Sequence, residues 1–89
     1  MGENAQDLAY RLRITRKSRG LKREDVYLYV GVGRTTYSQW ESGARNPSRK
    51  SFDPLCRVLG VTSDWLLFGR LDGLPHGLVL KLQQAADEK

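Results

Sequence analysis

Cysteine is almost missing from this chain. The single thiol, Cys56, has no partner for an internal disulfide and no zinc-ligand spacing around it, so neither a stapled scaffold nor a structural metal site is expected. Beside Leu55 and Val58 on an expected helix, it reads as a small buried hydrophobe rather than a redox switch. Histidine is as scarce: His76 stands alone after Leu74-Pro75, with no cysteine, serine or carboxylate motif to recruit it. Gly31-Val32-Gly33 lacks the lysine and the spacing of a phosphate-binding loop. No enzymatic activity, cofactor or small-molecule substrate is therefore expected. Long apolar runs are also lacking, and MGENAQDLAYRL has no signal-peptide centre, so we expect a cytoplasmic chain with no membrane partner.

Charge is abundant and unevenly placed. The formal net charge is +5, but residues 11 to 50 hold eleven Arg or Lys against Glu24, Asp25 and Glu41, a net of +8, which leaves −3 for the remainder. A concentrated basic segment suits a polyanion, because neutralised phosphates release counterions and supply much of the non-specific affinity. The same charge could also serve only solubility. Eighty-nine residues with 39% apolar content suffice for one small domain and a modest core, without a separate catalytic or effector domain.

The most organised stretch is LKREDVYLYVGVGRTTYSQWESG, residues 21 to 43. Val26 and Val30 are four apart and share one face of a helix running from Arg23 to Val30. Gly31 can take the left-handed conformation that closes a helix, and Val32 supplies an apolar anchor after it. A second helix follows. Its Thr36, Tyr37 and Trp40 fall at helical spacing, so Tyr37 and Trp40 can face the valines while Arg34, Thr35, Ser38 and Gln39 point elsewhere. A guanidinium, hydroxyls and an amide on one helical face are the donor and acceptor types that read base edges. On periodicity alone they are equally the polar side of an amphipathic helix.

Through that motif, the chain resembles a helix-turn-helix domain of the Cro and phage-repressor type. Leu8, Arg11, Leu12, Arg13 and Arg16 resemble its first helix, and Gly20-Leu21 the join to the second. Asn46-Pro47-Ser48, Leu59-Gly60-Val61-Thr62 and Asp64-Trp65-Leu66-Leu67 with Gly69 resemble its later punctuation and closing helix. The match covers about residues 7 to 69 in one register. It implies an all-α fold of five helices over residues 1–69, to which the spacing of Leu74, Leu78, Leu82 and Ala85 adds a sixth helix from about Pro75 to Ala86 within the tail 70–89.

What the resemblance implies for function is specific. Arg34, Thr35 and Gln39 would contact bases in the major groove of double-stranded DNA, with Arg34 suited to guanine and Gln39 to adenine. Arg23, Thr36, Ser38, Arg45, Asn46, Arg49 and Lys50 would contact the DNA backbone. Arg16 would pair with Glu41 and lock the first helix to the third. The chain departs from the family pattern at Lys22, where a Ser or Thr cap is usual, at Gly33, again in place of a capping hydroxyl, and at Tyr27, where alanine is usual. Tyr27 must either pack near Tyr37 across a wider helix crossing or tilt to the surface.

Asn4 is placed to cap the first helix, with Asp7 in its first turn. Helix 4 is expected to start with Ser51 as cap, leaving Pro54 in the first turn; a start at Ser48 would bury the proline deeper in the helix. The apolar surplus of residues 65–68 and of the tail points to a homodimer contact, the alternative being a tail folded back on its own core. Two functions compete: a sequence-specific, dimeric DNA-binding transcription regulator of repressor or controller type, and a protein-interaction module of the same fold with little operator binding.

Overall fold

The computed structural model describes residues 3–87, with side chains over 8–85. Six helices and no strand occur among the described residues: α1 Glu3–Ser18, α2 Arg23–Val30, α3 Arg34–Ser42, α4 Arg49–Leu59, α5 Ser63–Phe68 and α6 His76–Asp87. α1 packs on α3, α5 and α6, while α2 packs on α4 and α3. The all-α expectation holds.

The turn between α2 and α3 follows from its glycine. Gly31 takes a left-handed φ of 88°, which lets its own N–H and that of Val32 both donate to the Tyr27 carbonyl, at 2.9 and 3.1 Å. The Tyr27 carbonyl thereby closes the last turn of α2 before the chain turns. Val32, half-buried, packs against the core as the anchor.

Helix starts are more varied. Ser48 and Thr62 cap α4 and α5, their hydroxyls accepting from the N–H groups of Ser51 at 3.3 Å and Trp65 at 3.1 Å. α4 thus begins three residues earlier than expected, and Pro54 lies inside it. The proline removes the N–H that would have met the Lys50 carbonyl, but Lys50 is exposed and water can serve instead. The Ser48 cap, reinforced by a 3.0 Å contact between the Ser48 and Ser51 hydroxyls, outweighs that loss. Lys22 has no side-chain acceptor for α2, yet the Asp25 carboxylate accepts from the Lys22 N–H at 2.8 Å and supplies the reciprocal half of a capping box. α1 already includes Asn4, which is therefore not its cap, and the Asp7 side chain lies outside the described ones. α6 starts one residue after Pro75, whose carbonyl accepts from Val79 at 3.0 Å.

The core joins every element after the first turn of α1. Leu12, Val26, Tyr37, Trp40, Leu55, Leu59, Trp65, Leu66, Leu78 and Leu82 form one buried cluster. Part of the tail takes the second of its two expected positions: Leu78 and Leu82 fold back onto the chain's own core, where Trp65 and Leu66 are also buried. Only Leu67, Phe68 and Leu80 of those segments stay exposed as large apolar side chains. Tyr29 is exposed on α2 beside exposed Leu28.

α1 contributes something that spacing did not reveal. Arg11 donates to the carbonyls of Leu66 and Leu67 at 2.9 Å each, near the end of α5. Arg19 reaches the Leu59 and Gly60 carbonyls at 2.8 and 3.0 Å, at the end of α4. Arg13 donates to the carbonyl of Glu41 in the last turn of α3. These are the helix ends whose carbonyls lack intrahelical donors and where positive charge is favoured. Inside the same helix, Thr15 accepts from the Trp65 indole N–H at 2.8 Å and donates to the Arg11 carbonyl at 2.6 Å, so its buried hydroxyl is satisfied.

Gly60 tests this arrangement. Its φ of 69° is left-handed, and a Cβ there would stand 2.6 Å from a terminal nitrogen of Arg19. Gly60→Ala should lower stability by about 1–2 kcal/mol through left-handed strain, plus whatever Arg19 loses by moving aside. Urea denaturation of Gly60→Ala and Arg19→Ala, singly and combined, reads the two contributions; a combined loss below the sum would show the guanidinium already displaced in the alanine variant.

Candidate nucleic-acid interface

The back of α3 is fastened by packing and by one carboxylate. Tyr37, Trp40 and Glu41 are buried, and the Tyr37 ring meets Trp40 edge-on with centroids 5.7 Å apart. Tyr27 takes the first of its two expected positions, its ring tilted against Tyr37 at a centroid distance of 6.2 Å. A tyrosine in place of a small residue thus becomes part of the α2–α3 contact.

Glu41 sits at the centre of this contact. Arg16 grips it with two nitrogens, Nε to Oε2 at 2.7 Å and Nη2 to Oε1 at 3.3 Å, while donating another bond to the Leu21 carbonyl at 3.0 Å. The Tyr37 hydroxyl donates to Oε2. Arg23 adds a third donor, Nε to Oε1 at 3.3 Å. Burial by itself would raise the Glu41 carboxyl, but the bonds from Arg16 and Tyr37 and the Arg16 charge outweigh it, and the group titrates below its ordinary range. Burial and the carboxylate together push the Tyr37 phenol well above its ordinary value, so it remains a donor. For Arg16, Glu41 outweighs desolvation and raises the guanidinium further.

The front of α3 is open. Arg34, Thr35, Thr36 and Ser38 are exposed, Gln39 is half-buried, and none of the five makes a side-chain hydrogen bond with the rest of the described chain. Gly33 begins this helix without a side-chain cap, so its first N–H groups are left to solvent or a ligand. The Gly43 end returns sharply at φ 85°, and Arg45 N–H donates to the Gln39 carbonyl at 3.1 Å. The loop beyond carries Arg45 and Asn46, with Arg49 and Lys50 opening α4, all four exposed and their side chains without a hydrogen-bond partner among the described residues.

The basic segment contains two distinct populations, with Lys17, Lys22 and Arg23 in neither. Of its eleven cations, Arg11, Arg13, Arg16 and Arg19 face inward to carbonyls and to Glu41. Arg34, Arg45, Arg49 and Lys50 project outward around α3 and its following loop. Counting charge along the chain merged these groups, because arginine serves equally as a carbonyl cap and as an anion contact. The one available signal was position: three of the inward four lie on α1, and Arg19 follows its last residue.

Arg23 and Ser38 meet Arg34 at a cleft of about 450 Å³ between α2 and α3, which Lys22, Glu24 and Tyr27 also line. Arg45 and Lys50 lie outside it. The proposed contacts thus form one region with two parts, the front of α3 and the loop leading into α4.

A family model for the helix-turn-helix matches residues 12–66, well over half of the chain, from the second half of α1 through most of α5. The chain belongs to the Cro and phage-repressor class of helix-turn-helix DNA-binding domains. This helix-turn-helix domain is also similar to the SPbeta prophage-derived uncharacterized HTH-type transcriptional regulator YonR of Bacillus subtilis (strain 168), with 34% identity over 59 residues. That alignment covers 66% of this chain and 55% of the relative, so the chain spans about half the relative's length. No solved structure matches the domain. Within the helix-turn-helix, α2 is the supporting helix and α3 the second helix of the motif. No described helix is long and apolar enough to cross a membrane.

Proposed function

We propose that this domain is a sequence-specific, cytoplasmic transcription regulator of repressor or controller type, which binds double-stranded DNA as a homodimer with α3 in the major groove. The observation that carries the proposal is the division of α3 into a locked back and a front whose polar side chains have no protein partner. Fixed backbone and unengaged donors are what direct readout needs, since contacts ordered in advance cost less on binding. In this reading Arg34, Thr35 and Gln39 meet bases, and Arg23, Thr36, Ser38, Arg45, Asn46, Arg49 and Lys50 meet the backbone. Half-burial of Gln39 limits its reach, so Arg34 carries the larger share.

Selection of bound duplexes from a random pool tests this directly. The expected product is a palindrome whose half-sites lie about one helical turn apart. A pool that enriches no sequence would overturn specific readout. It would favour the interaction-module alternative, which the exposed Leu28, Tyr29, Leu67, Phe68 and Leu80 support. For the homodimer, the remaining apolar surface is Leu67, Phe68 and Leu80. Sedimentation at micromolar concentration should give a dimer, and Phe68→Glu should shift it to monomer; a chain monomeric both alone and on DNA would remove that part of the proposal.

A further inference from the structure

The two ends of α3 are held differently. Its C-terminal half is tied to α1 by the Arg16 bonds to Glu41 and by the Arg13 bond to the Glu41 carbonyl, with Trp40 buried beside them. Its first turn has no comparable fastening among the described residues: Gly33 brings no side-chain cap, and Arg34, Thr35 and Thr36 make no side-chain hydrogen bond. Two contacts to this end come from one residue of α2. The Tyr27 carbonyl accepts from both Gly31 and Val32 and so fixes the turn that leads into α3. The half-buried Tyr27 ring lies against Tyr37, at the end of the first turn of α3, and shares the lining of the α2–α3 cleft with Arg34 and Ser38. Its hydroxyl has no hydrogen-bond partner among the described residues, so the ring bears on α3 through its shape. α2 packs more extensively on α4 than on α3, which leaves the spacing of α2 and α3 to the side chains between them.

We propose that Tyr27 is a positioning residue that determines which DNA sequence is read, by setting the place of the first turn of α3, and with it Arg34 and Thr35, without touching a base itself. A ring between two crossing helices holds them further apart than a methyl group would, and its removal leaves a space into which the helices relax. With α3 pinned near Glu41 and propped near Tyr37, loss of the prop lets the helix pivot. The displacement is small at Glu41 and largest at Arg34. Hydrogen bonds to base edges weaken steeply with distance and angle, whereas attraction to the phosphates falls off slowly. The pivot therefore costs selectivity before it costs general affinity for duplex DNA.

The inference rests on the DNA-binding reading, and its first arm is measured without DNA so that the two can fail separately. Backbone N–H residual dipolar couplings report the direction of each helix in the free protein. In Tyr27→Ala the couplings of residues 34–37 should move relative to those of α1, while Tyr27→Phe should match the wild type. Unmoved couplings in Tyr27→Ala would overturn the proposal. Should the alanine variant fail to fold, Tyr27→Leu keeps apolar volume without the ring and carries the same expectations. The second arm compares selected and scrambled duplexes well below each variant's thermal midpoint. Tyr27→Ala should lower the ratio of the two affinities by about tenfold, the scale of one bidentate base contact, with scrambled-duplex affinity and salt slope unchanged because no cation has been removed. Tyr27→Phe should keep the ratio within about twofold. A phenylalanine variant as unselective as the alanine one would make the hydroxyl a direct DNA contact and overturn the positioning role, as would equal losses on both duplexes in Tyr27→Ala. Couplings that move in a protein whose wild type binds no duplex would remove the DNA reading and leave the hold of Tyr27 on α3 in place.

Discussion

Glu41→Ala should destabilise the domain by about 3 kcal/mol, the loss expected when one member of a buried ion pair is removed and the other is left without compensation. Arg16 is the residue left behind: its side chain is 8% exposed, and only the Leu21 carbonyl would remain to it. For a chain of this size the thermal midpoint should fall by roughly 10–20 °C. The double variant Arg16→Met/Glu41→Met separates the pair's net worth from the penalty of orphaning a charge. It should recover most of the loss, because an apolar pair of similar volume removes both desolvation costs. A double variant as unstable as Glu41→Ala would show that Tyr37 and Arg23, which also use this carboxylate, carry the larger share.

The same carboxylate predicts an acid limb. Its folded pKa lies below the ordinary 4.5, so its contribution to stability is present above about pH 4.5 and is lost as pH falls from there through the depressed folded value. Wild-type stability measured by denaturant between about pH 6 and pH 3 should therefore decline more steeply than that of Glu41→Gln. Parallel profiles would mean that the native state gives this group no preference for its ionised form.

On DNA, Arg34→Ala should cost about 1–3 kcal/mol of specific affinity and relax selectivity at one base position. Lys50→Ala should instead weaken binding to all duplexes alike and lower the salt slope by about 1. The contrast is the informative quantity, measured by fluorescence anisotropy on selected and scrambled duplexes at several salt concentrations. Equal losses on both duplexes for Arg34→Ala would assign that residue to the backbone, and the readout would pass to Thr35 and Gln39.

The helix-turn-helix was legible because its signals are local. Val26 and Val30 set a face, Gly31 and Gly43 take the left-handed angles that stop each helix, and Tyr37 and Trp40 recur at the spacing that buries them. Family resemblance supplied the partnership of Arg16 with Glu41, whose 25-residue separation no periodicity could have bridged. Other features depended on tertiary context. The start of α4 turned on two competing preferences, a serine cap against an interior proline, and the cap prevailed where the unpaired carbonyl could reach water. The partners of Arg11 and Arg19 could not be read from spacing, because a guanidinium's destination is set by which carbonyls other helices bring near it. For α6, an apolar stripe is the same in sequence whether it covers its own core or a neighbour's; Leu78 and Leu82 proved to be internal.

The bonds made by Arg11, Arg13 and Arg19 end on backbone oxygens. Every amino acid carries such an oxygen, so side chains at the ends of α3, α4 and α5 can be exchanged without removing an acceptor. Variation on the outer surface of α3 is thereby uncoupled from these attachments to α1. A library randomised at positions 34, 35 and 39 could then alter operator preference while its members unfold at nearly the parental temperature.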